Sequence, residues 1–243
     1  MANSIKVTGL CAGYGSVQVL NDVALDVHDG ETVTLLGTNG NGKSTLIKSI
    51  MGIVKPTSGK IEAEIDGVTH NLIGLEPEEI VRLGIALVPE GRRLFPKLTV
   101  EENLLLGAFR DAARARIAEN LDFCYSAFSR LAERRNQLAG SMSGGEQQMV
   151  ALARAVMTAP KILLIDEPSV GLAPILVSRT IEKIGELKDK FKLTVLMAEQ
   201  NFNQAIKIAD RGYVIVHGHI EFEGKSREDM ANNEMIKKLY LGI

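Results

Sequence analysis

Short apolar runs alternate with helix-like stretches along most of the chain. Residues 32–36, 162–165 and 194–198 are continuous apolar runs, typical of strands covered on both faces in a parallel sheet. Residues 213–216 and 219–223, separated by His217 and Gly218, predict a hairpin. The stretches typical of helices are residues 44–51, 101–109, 146–157 and 175–190. Strands that alternate with helices predict a doubly wound, mostly parallel α/β sheet.

The segment from about residue 91 to residue 157 departs from this alternation. It contains little strand-like sequence and much helical sequence. We therefore predict a helical subdomain inserted into an α/β core made of about residues 1–90 and 158–243. No fixed-period repeat, low-complexity tract or Pro-rich linker divides the chain, so a single domain over residues 1–243 is expected.

Composition and charge exclude several classes of protein. The 28 basic and 30 acidic residues nearly cancel, to a net charge of −2, which gives no general electrostatic reason to expect nucleic-acid binding. The apolar runs are far shorter than the roughly 20 residues needed to cross a bilayer. The first ten residues lack a secretory signal pattern, which predicts a cytoplasmic protein. Cys11 and Cys124 have no metal or redox spacing and are assigned no role.

The most specific local motif follows the first predicted strand. Residues 37–45 match G-x-x-x-x-G-K-[ST] between that strand and a helix. Glycines let successive N–H groups point inward, and the helix N-terminus adds its positive end, so this pattern predicts a phosphate-binding loop. A Gly-rich turn without a ligand is the alternative. The predicted nucleotide ligands are Gly37, Thr38, Asn39, Gly40, Asn41, Gly42, Lys43, Ser44 and Thr45, with Lys43 on the β- and γ-phosphates and Ser44 on Mg²⁺.

Two adjacent carboxylates follow the strand at residues 162–165. Open α/β sheets keep their ligand crevice at the carboxyl ends of the strands, where Asp166 and Glu167 lie. Asp166 is predicted to hold Mg²⁺ through its water shell, and Glu167 to orient or deprotonate the water that attacks the γ-phosphate. The alternative is an acidic strand end exposed to solvent before the turn at Pro168. A phosphate loop in the same chain favours the catalytic interpretation.

A third motif begins the helix predicted near residue 146. Ser143 and Glu146 have the spacing of a capping box, and Gly144 and Gly145 lie between them in the first turn. A plain helix start accounts for Ser143 and Glu146. It does not explain two adjacent glycines, each less favourable than a good helix former by roughly 1 kcal/mol.

Together these three motifs make the chain resemble the ATP-binding cassette (ABC) proteins over essentially its whole length. The resemblance implies a P-loop NTPase fold with an N-terminal antiparallel β portion and an inserted helical subdomain. It also implies ATP and Mg²⁺ as cofactors, and a pair of subunits that clasp two nucleotides head to tail. In such a pair Ser143, Gly144, Gly145 and Glu146 of one subunit contact ATP held by the other.

Further positions match the family when carried over one by one. Tyr14 stands at the place of the aromatic residue that stacks on adenine, although a lone Tyr is otherwise more often packed in a core. Glu90 replaces the usual Gln that links the γ-phosphate and Mg²⁺ to the membrane partner, and Gln200 replaces a γ-phosphate-sensing His. Ala173 replaces the Asp of a Ser-Ala-Leu-Asp loop. Glu90 remains a candidate Mg²⁺ ligand, and Gln200 a residue that senses the γ-phosphate through a neutral hydrogen bond.

Four short motifs together make the chain resemble the ATPase subunits of branched-chain amino-acid importers: Pro-Glu-Gly-Arg-Arg, Ser-Gly-Gly-Glu-Gln-Gln-Met, Glu-Pro-Ser-x-Gly-Leu-Ala-Pro and Glu-Gln-Asn. The resemblance implies an ATPase at the inner face of the membrane, bound to transmembrane permease subunits and to a second ABC ATPase, identical or related. It implies no contact with the solute and no nucleic acid. The residues after Glu90, from Arg92 to Pro96, either dock a permease helix or enter the local core. The alternative function is a soluble ABC-type ATPase that acts on DNA or the ribosome; a GTPase or kinase is disfavoured by the Ser-Gly-Gly segment.

Overall fold

The computed structural model describes residues 2–236 and residue 238. The predicted core extends to residue 243, so its last residues, like residues 1 and 237, lie outside the described part. The strands are β1 (Ser4–Tyr14), β2 (Val17–Val27), β3 (Thr32–Leu36), β4 (Pro56–Ile65), β5 (Val68–Asn71), β6 (Ile85–Val88), β7 (Ile162–Asp166), β8 (Thr194–Glu199), β9 (Arg211–Val216) and β10 (His219–Gly224). The helices are α1 (Lys43–Ile50), α2 (Pro77–Leu83), α3 (Val100–Leu105), α4 (Asp111–Arg114), α5 (Ile117–Ala127), α6 (Ser129–Glu133), α7 (Gly144–Val156), α8 (Pro174–Phe191), α9 (Phe202–Ala205), α10 (Arg227–Asn232) and α11 (Glu234–Ile236).

A six-stranded sheet forms the centre of the molecule, in the order β10-β9-β3-β8-β7-β6. All neighbours in it pair in parallel except β9 and β10, which form the predicted antiparallel hairpin. Every residue of β3, β7 and β8 is buried, which explains their continuous apolar sequences. The mostly parallel sheet is therefore confirmed.

An antiparallel sheet, in the order β2-β1-β4-β5, covers one face of the central sheet. Buried residues of β1 and β2, such as Leu10 and Leu20, share a core cluster with helix α1 and with Leu35 of β3. This packing places β2 directly over the loop between β3 and α1. Strands β1 and β2 alternate between buried and more exposed residues, as expected of a half-covered sheet.

Helices α3 to α7 occupy the chain between β6 and β7. Their apolar residues form a second core cluster with the opposite face of the central sheet. Helix α3 ends at Leu105, short of the predicted residue 109. A Cβ on Gly107 would lie 2.2 Å from the Arg154 carbonyl oxygen, so the chain turns there to pack closely against α7. In the described residues no helix is both long and apolar enough to cross a bilayer.

Candidate active site

The loop between β3 and α1 has the backbone conformation of a phosphate cradle. Gly40 and Gly42 adopt φ angles of 83° and 101°, in the left-handed region that favours glycine. A Cβ on Gly42 would lie 2.8 Å from the Leu20 methyl of the covering sheet, and one on Gly37 would lie 2.8 Å from the Ile215 carbonyl oxygen. The glycines therefore allow the left-handed backbone of the turn and the close packing of β2 and β9 around it.

A depression of about 260 Å³ lies at this loop. Its lining combines the loop, the start of α1, one residue of β2 and one of the two predicted acidic residues: Val19, Gly40, Gly42, Lys43, Ser44, Thr45 and Glu167. Thr38 and Asn39, earlier in the loop, are exposed and do not line the depression, whereas Lys43 and Thr45 are buried within it. Five of the nine predicted nucleotide ligands, Gly40 and residues 42–45, thus come together on one concave surface.

Asn41 fixes the loop to the far edge of the central sheet. Its side-chain Oδ1 accepts a hydrogen bond from the His217 N–H at 2.9 Å, and its Nδ2 donates to the Thr38 hydroxyl at 2.8 Å. The Gly218 N–H donates to the Asn41 carbonyl at 3.2 Å. The loop is therefore held at both its beginning and its middle.

Lys43 and Glu167 form a buried ion pair across this depression. The Lys43 Nζ lies 2.8 Å from the Glu167 Oε1, with side chains only 2% and 8% exposed, and also donates to the Thr38 carbonyl at 3.1 Å. Glu167 adopts φ 45°, an uncommon value for a non-glycine residue, and its N–H donates to the Ala198 carbonyl at 3.0 Å. A phosphate entering the loop would compete with Glu167 for Lys43.

Ser44 and Asp166 lie together at the same edge. The Ser44 hydroxyl donates to the Asp166 Oδ1 at 2.8 Å, and Asp166 is 2% exposed. Burial raises the pKa of the Asp166 carboxyl, against the hydrogen bond from Ser44, and the charges of Glu167 and Glu90 add to the increase. A bound cation would offset the free-energy cost of keeping the Asp166 carboxylate charged in this buried position. Mg²⁺ in nucleotide sites usually takes only a few oxygen ligands from the protein, because the phosphates supply others. The Ser44 hydroxyl, the Asp166 carboxylate and nearby Glu90 are oxygen ligands of this kind, so these residues fit a Mg²⁺–nucleotide complex.

Glu90 and Gln200 lie at the carboxyl ends of the strands that flank β7. Val88 of β6 pairs with Ile165, and Ala198 of β8 pairs with Asp166, so the segments that follow these strands reach the same edge of the sheet. Both Glu90 and Gln200 are exposed there. The candidates Gly37, Glu90, Asp166, Glu167 and Gln200 therefore follow four adjacent parallel strands, the usual position of ligand crevices in such sheets.

Tyr14 ends β1 and is 50% exposed, with the exposed Val17 paired to it in the β1–β2 hairpin. A Tyr packed in a core would be buried, so this alternative is excluded. The ring is free to stack on a flat, apolar group.

The Ser-Gly-Gly segment begins α7 as a capping box. The Ser143 hydroxyl accepts from the Glu146 N–H at 3.4 Å, and the Ser143 N–H donates back to Glu146 at 3.0 Å. Burial opposes ionisation of Glu146, but the hydrogen bonds from Ser143 and the charge of Arg134 leave its pKa below the ordinary value. Ser143 is exposed and Gly144 is half-buried.

Gly145 is buried against α8, where an added Cβ would lie 2.8 Å from a Leu176 methyl. The fold thus supplies a packing reason for Gly145 that the sequence interpretation lacked. Ser143, Gly145 and Glu146 line a depression of about 380 Å³, and none of them lines the depression at the phosphate loop. The two predicted parts of the nucleotide site are therefore separate surfaces of one chain.

Sequence reasoning missed two polar groups beside these motifs. Glu199, the last residue of β8, is fully buried and accepts hydrogen bonds from the loops after β7 and β8. Arg154 of α7 donates to the carbonyls of Arg92 and Arg93, at 3.1 and 2.9 Å, and so ties the segment after Glu90 to the Ser-Gly-Gly helix. A charged residue directly after the apolar run of residues 194–198 was the available signal for Glu199.

The fold and the phosphate loop define a P-loop nucleotide-binding protein. The family model described as ABC transporter matches residues 20–170, more than half of the chain. The chain therefore belongs to the ABC transporter family.

Comparisons with individual proteins extend the match to nearly the whole chain. It is 46% identical over 232 residues to the high-affinity branched-chain amino acid transport ATP-binding protein BraG of Pseudomonas aeruginosa, covering 94% of this chain and 95% of the relative. A nucleotide-free ATP-binding cassette from an ABC transporter superposes with a TM-score of 0.83 at 27% identity, covering 99% of this chain and all of the other. A dimeric ATP-binding cassette in a post-hydrolysis state, bound to ADP and phosphate, superposes with a TM-score of 0.75 at 27% identity, covering 91% and 98%.

Proposed function

We propose that this protein hydrolyses ATP to power an ABC importer of branched-chain amino acids. The observation that carries the proposal is the buried cluster in which Lys43 contacts Glu167 and Ser44 contacts Asp166, at the floor of a glycine-rich phosphate loop. The similarity to a branched-chain amino acid transport ATPase over nearly both full lengths supports the solute class. It also favours transport over an ATPase that acts on DNA or the ribosome.

Each side chain of the cluster has a role that follows from its chemistry. Lys43 exchanges its Glu167 partner for the β- and γ-phosphates, which frees the Glu167 carboxylate to orient or deprotonate water. Ser44 and Asp166, with Glu90, would hold Mg²⁺, which supplies charge neutralisation at the phosphates. Gln200, at the end of the adjacent strand, donates a neutral hydrogen bond to the γ-phosphate, and Tyr14 stacks on adenine.

The site is proposed to be completed by a second ATPase subunit, either a copy of this chain or a related one. The exposed Ser143 hydroxyl and the first N–H groups of α7 present the positive end of a 13-residue helix on a surface apart from the phosphate loop. A nucleotide phosphate that binds at this helix start therefore belongs to a nucleotide held by the phosphate loop of another molecule. The dimeric cassette with bound ADP and phosphate is a precedent among structural relatives. We propose a single nucleotide-binding domain over residues 1–243, with residues 91–157 as its helical subdomain.

A groove of about 350 Å³ between the helical subdomain and the central sheet suits the permease. Phe95 at its edge is 53% exposed and available for docking, whereas Leu94 packs against the core. Each of these two residues therefore fits one of the two alternatives predicted for this segment. The lining is mainly apolar: Met51, Val81, Ala86, Leu87, Arg93, Phe95, Leu106, Gly107, Phe109, Arg154, Ala155 and Thr158. Its two charges are both cationic. We propose that a short permease segment with apolar residues and a carboxylate docks here, at the inner face of the membrane.

Solute uptake tests this function directly. In the source organism lacking this gene, uptake of labelled leucine, isoleucine and valine should be lost, and restored by the parent chain but not by Lys43→Ala. Arg93→Glu should also fail to restore uptake while the purified variant keeps its basal ATPase rate, because the charge faces the permease rather than the nucleotide. Unchanged leucine uptake in the deletion strain would refute the importer assignment.

A further inference from the structure

Glu199 is a buried carboxylate that the proposed mechanism does not use. It is the last residue of β8, its side chain is 0% exposed, and burial raises its pKa. Among the described residues no lysine, arginine or histidine forms an ion pair with it. A charge of this kind is costly to bury unless hydrogen bonds replace its water.

Four hydrogen bonds do so, and they come from two different loops. The Glu199 Oε1 accepts from the Ser169 N–H at 3.1 Å. The Oε2 accepts from the Ser169 hydroxyl at 2.9 Å, from the Gln200 N–H at 3.0 Å and from the Asn201 N–H at 3.2 Å. Among side chains of this size, only a carboxylate offers two acceptor oxygens and no donor. An amide in the same place would turn its NH₂ group toward one of these donors.

The two loops carry the groups proposed to act at the γ-phosphate. Ser169 lies two residues after Glu167, whose backbone adopts φ 45° and whose N–H is bonded to the Ala198 carbonyl at 3.0 Å. Gln200 directly follows Glu199. A strained backbone persists only when its surroundings hold it in place. Glu199 supplies that restraint for the loop after β7 and the loop after β8 at once.

We propose that Glu199 is a positioning residue of the hydrolytic site, which holds Glu167 and Gln200 in one relative geometry by clamping the loops that follow β7 and β8. The inference rests on the proposed ATP hydrolysis. Glu199 acts through Ser169 and Gln200 rather than on the nucleotide. Its loss should therefore reduce turnover without reducing ATP affinity, because the phosphate loop itself is untouched.

The test compares Glu199→Gln, Glu199→Asp and Ser169→Ala with the parent chain by phosphate release, ATP titration and thermal unfolding. Misplacement of a catalytic group by about 1 Å can cost roughly 100-fold in rate, so we expect kcat to fall by about 10- to 100-fold in Glu199→Gln, with the Kd for ATP unchanged. Glu199→Asp should not restore the rate, because it keeps the charge but cannot reach both loops. Ser169→Ala should lower kcat less, and adding it to Glu199→Gln should have little further effect.

Thr34→Val is the matched control, since Thr34 is fully buried in the adjacent strand β3 and its hydroxyl donates to the Met197 carbonyl. It should lower the melting temperature but not kcat. The inference is overturned if Glu199→Gln and Ser169→Ala keep the parent kcat, or if kcat falls only in proportion to lost ATP binding or lost folded protein. Should Glu199→Gln fail to fold, Ser169→Ala alone decides, because it removes one of four bonds. A parent chain that hydrolyses no ATP refutes the proposed function instead.

Discussion

Replacing Glu167 with Gln removes one charge of the buried ion pair and keeps the shape of the side chain. In the nucleotide-free protein the Lys43 Nζ then loses its carboxylate partner at 2.8 Å and keeps the Thr38 carbonyl at 3.1 Å. Breaking a buried pair costs about 3–5 kcal/mol, and a hydrogen bond to a charged group contributes about 1.5–3 kcal/mol. Since the Gln amide oxygen still accepts a hydrogen bond, we expect a loss of about 2 kcal/mol.

Nucleotide should reverse this loss. For chains of about 150–250 residues, 1 kcal/mol shifts the melting temperature by about 2–4 °C, so the nucleotide-free variant should melt about 4–8 °C below the parent. In the parent, ATP has to displace Glu167 from Lys43; in the variant it does not. If about 1.4 kcal/mol of that competition is relieved, ATP binds about tenfold more tightly. Turnover should nevertheless fall by about 10²- to 10⁴-fold, the usual contribution of a general base.

Differential scanning fluorimetry, calorimetric titration with ATP and Mg²⁺, and phosphate release measure these three effects. Asp66→Asn is the matched control, because its carboxylate pairs with Lys161 at 3.1 Å but both side chains are 45% exposed. It should change none of the three. An unchanged melting temperature and ATP affinity in Glu167→Gln would refute the competition between Glu167 and phosphate, and parent-like turnover would refute the catalytic role of Glu167.

Three further predictions concern the loop, the thiols and the covering sheet. Gly42→Ala should abolish ATP binding, because the residue has a left-handed φ of 101° and an added Cβ would lie 2.8 Å from a methyl group. The control Gly67→Ala also has a left-handed φ, of 83°, but no neighbour within 4 Å, and should bind ATP like the parent in the same titration. Cys11 should react with a thiol reagent at pH 8 in the native protein, because a hydrogen bond from a serine side chain lowers its pKa. Cys124 should react only in urea, because burial raises its pKa to about 12. Equal reaction rates of the two thiols in the native protein would contradict this prediction. Arg211→Met should lower the stability measured by urea unfolding by about 3–5 kcal/mol, because it leaves two carboxylates, one in β2 and one in the loop before β3, without their cation. An unchanged midpoint of urea unfolding would contradict that role.

The sequence predicted best those elements whose environment is uniform. Strands β3, β7 and β8 are buried on both faces, so continuous apolar runs identified them within one residue at each end. Strand β6 has only four residues, too few for a periodic pattern. The end of α3 was wrong because close packing at Gly107, which depends on a distant part of the chain, stops the helix.

The candidate site was predictable where one short segment carries the chemistry. The phosphate loop is one continuous segment of the sequence, and the acidic pair is another. The parallel strands bring these two distant segments to one edge of the sheet, as expected. Glu199 could not be predicted in the same way. Its role depends on donors about 30 residues away in the chain, at Ser169, and on the burial that makes four hydrogen bonds necessary.

In the proposed pair, one nucleotide is held between the phosphate loop of one subunit and the Ser-Gly-Gly helix start of the other. Complementation between two inactive variants reveals whether a single site draws on both subunits. Lys43→Ala lacks a working loop, and Gly144→Asp places a negative charge at the helix start, so neither should hydrolyse ATP alone. In an equimolar mixture half of the pairs are mixed and each has one intact site, so about a quarter of the parent rate should return. A mixture no more active than the two variants measured separately would contradict this arrangement for a pair of copies of this chain.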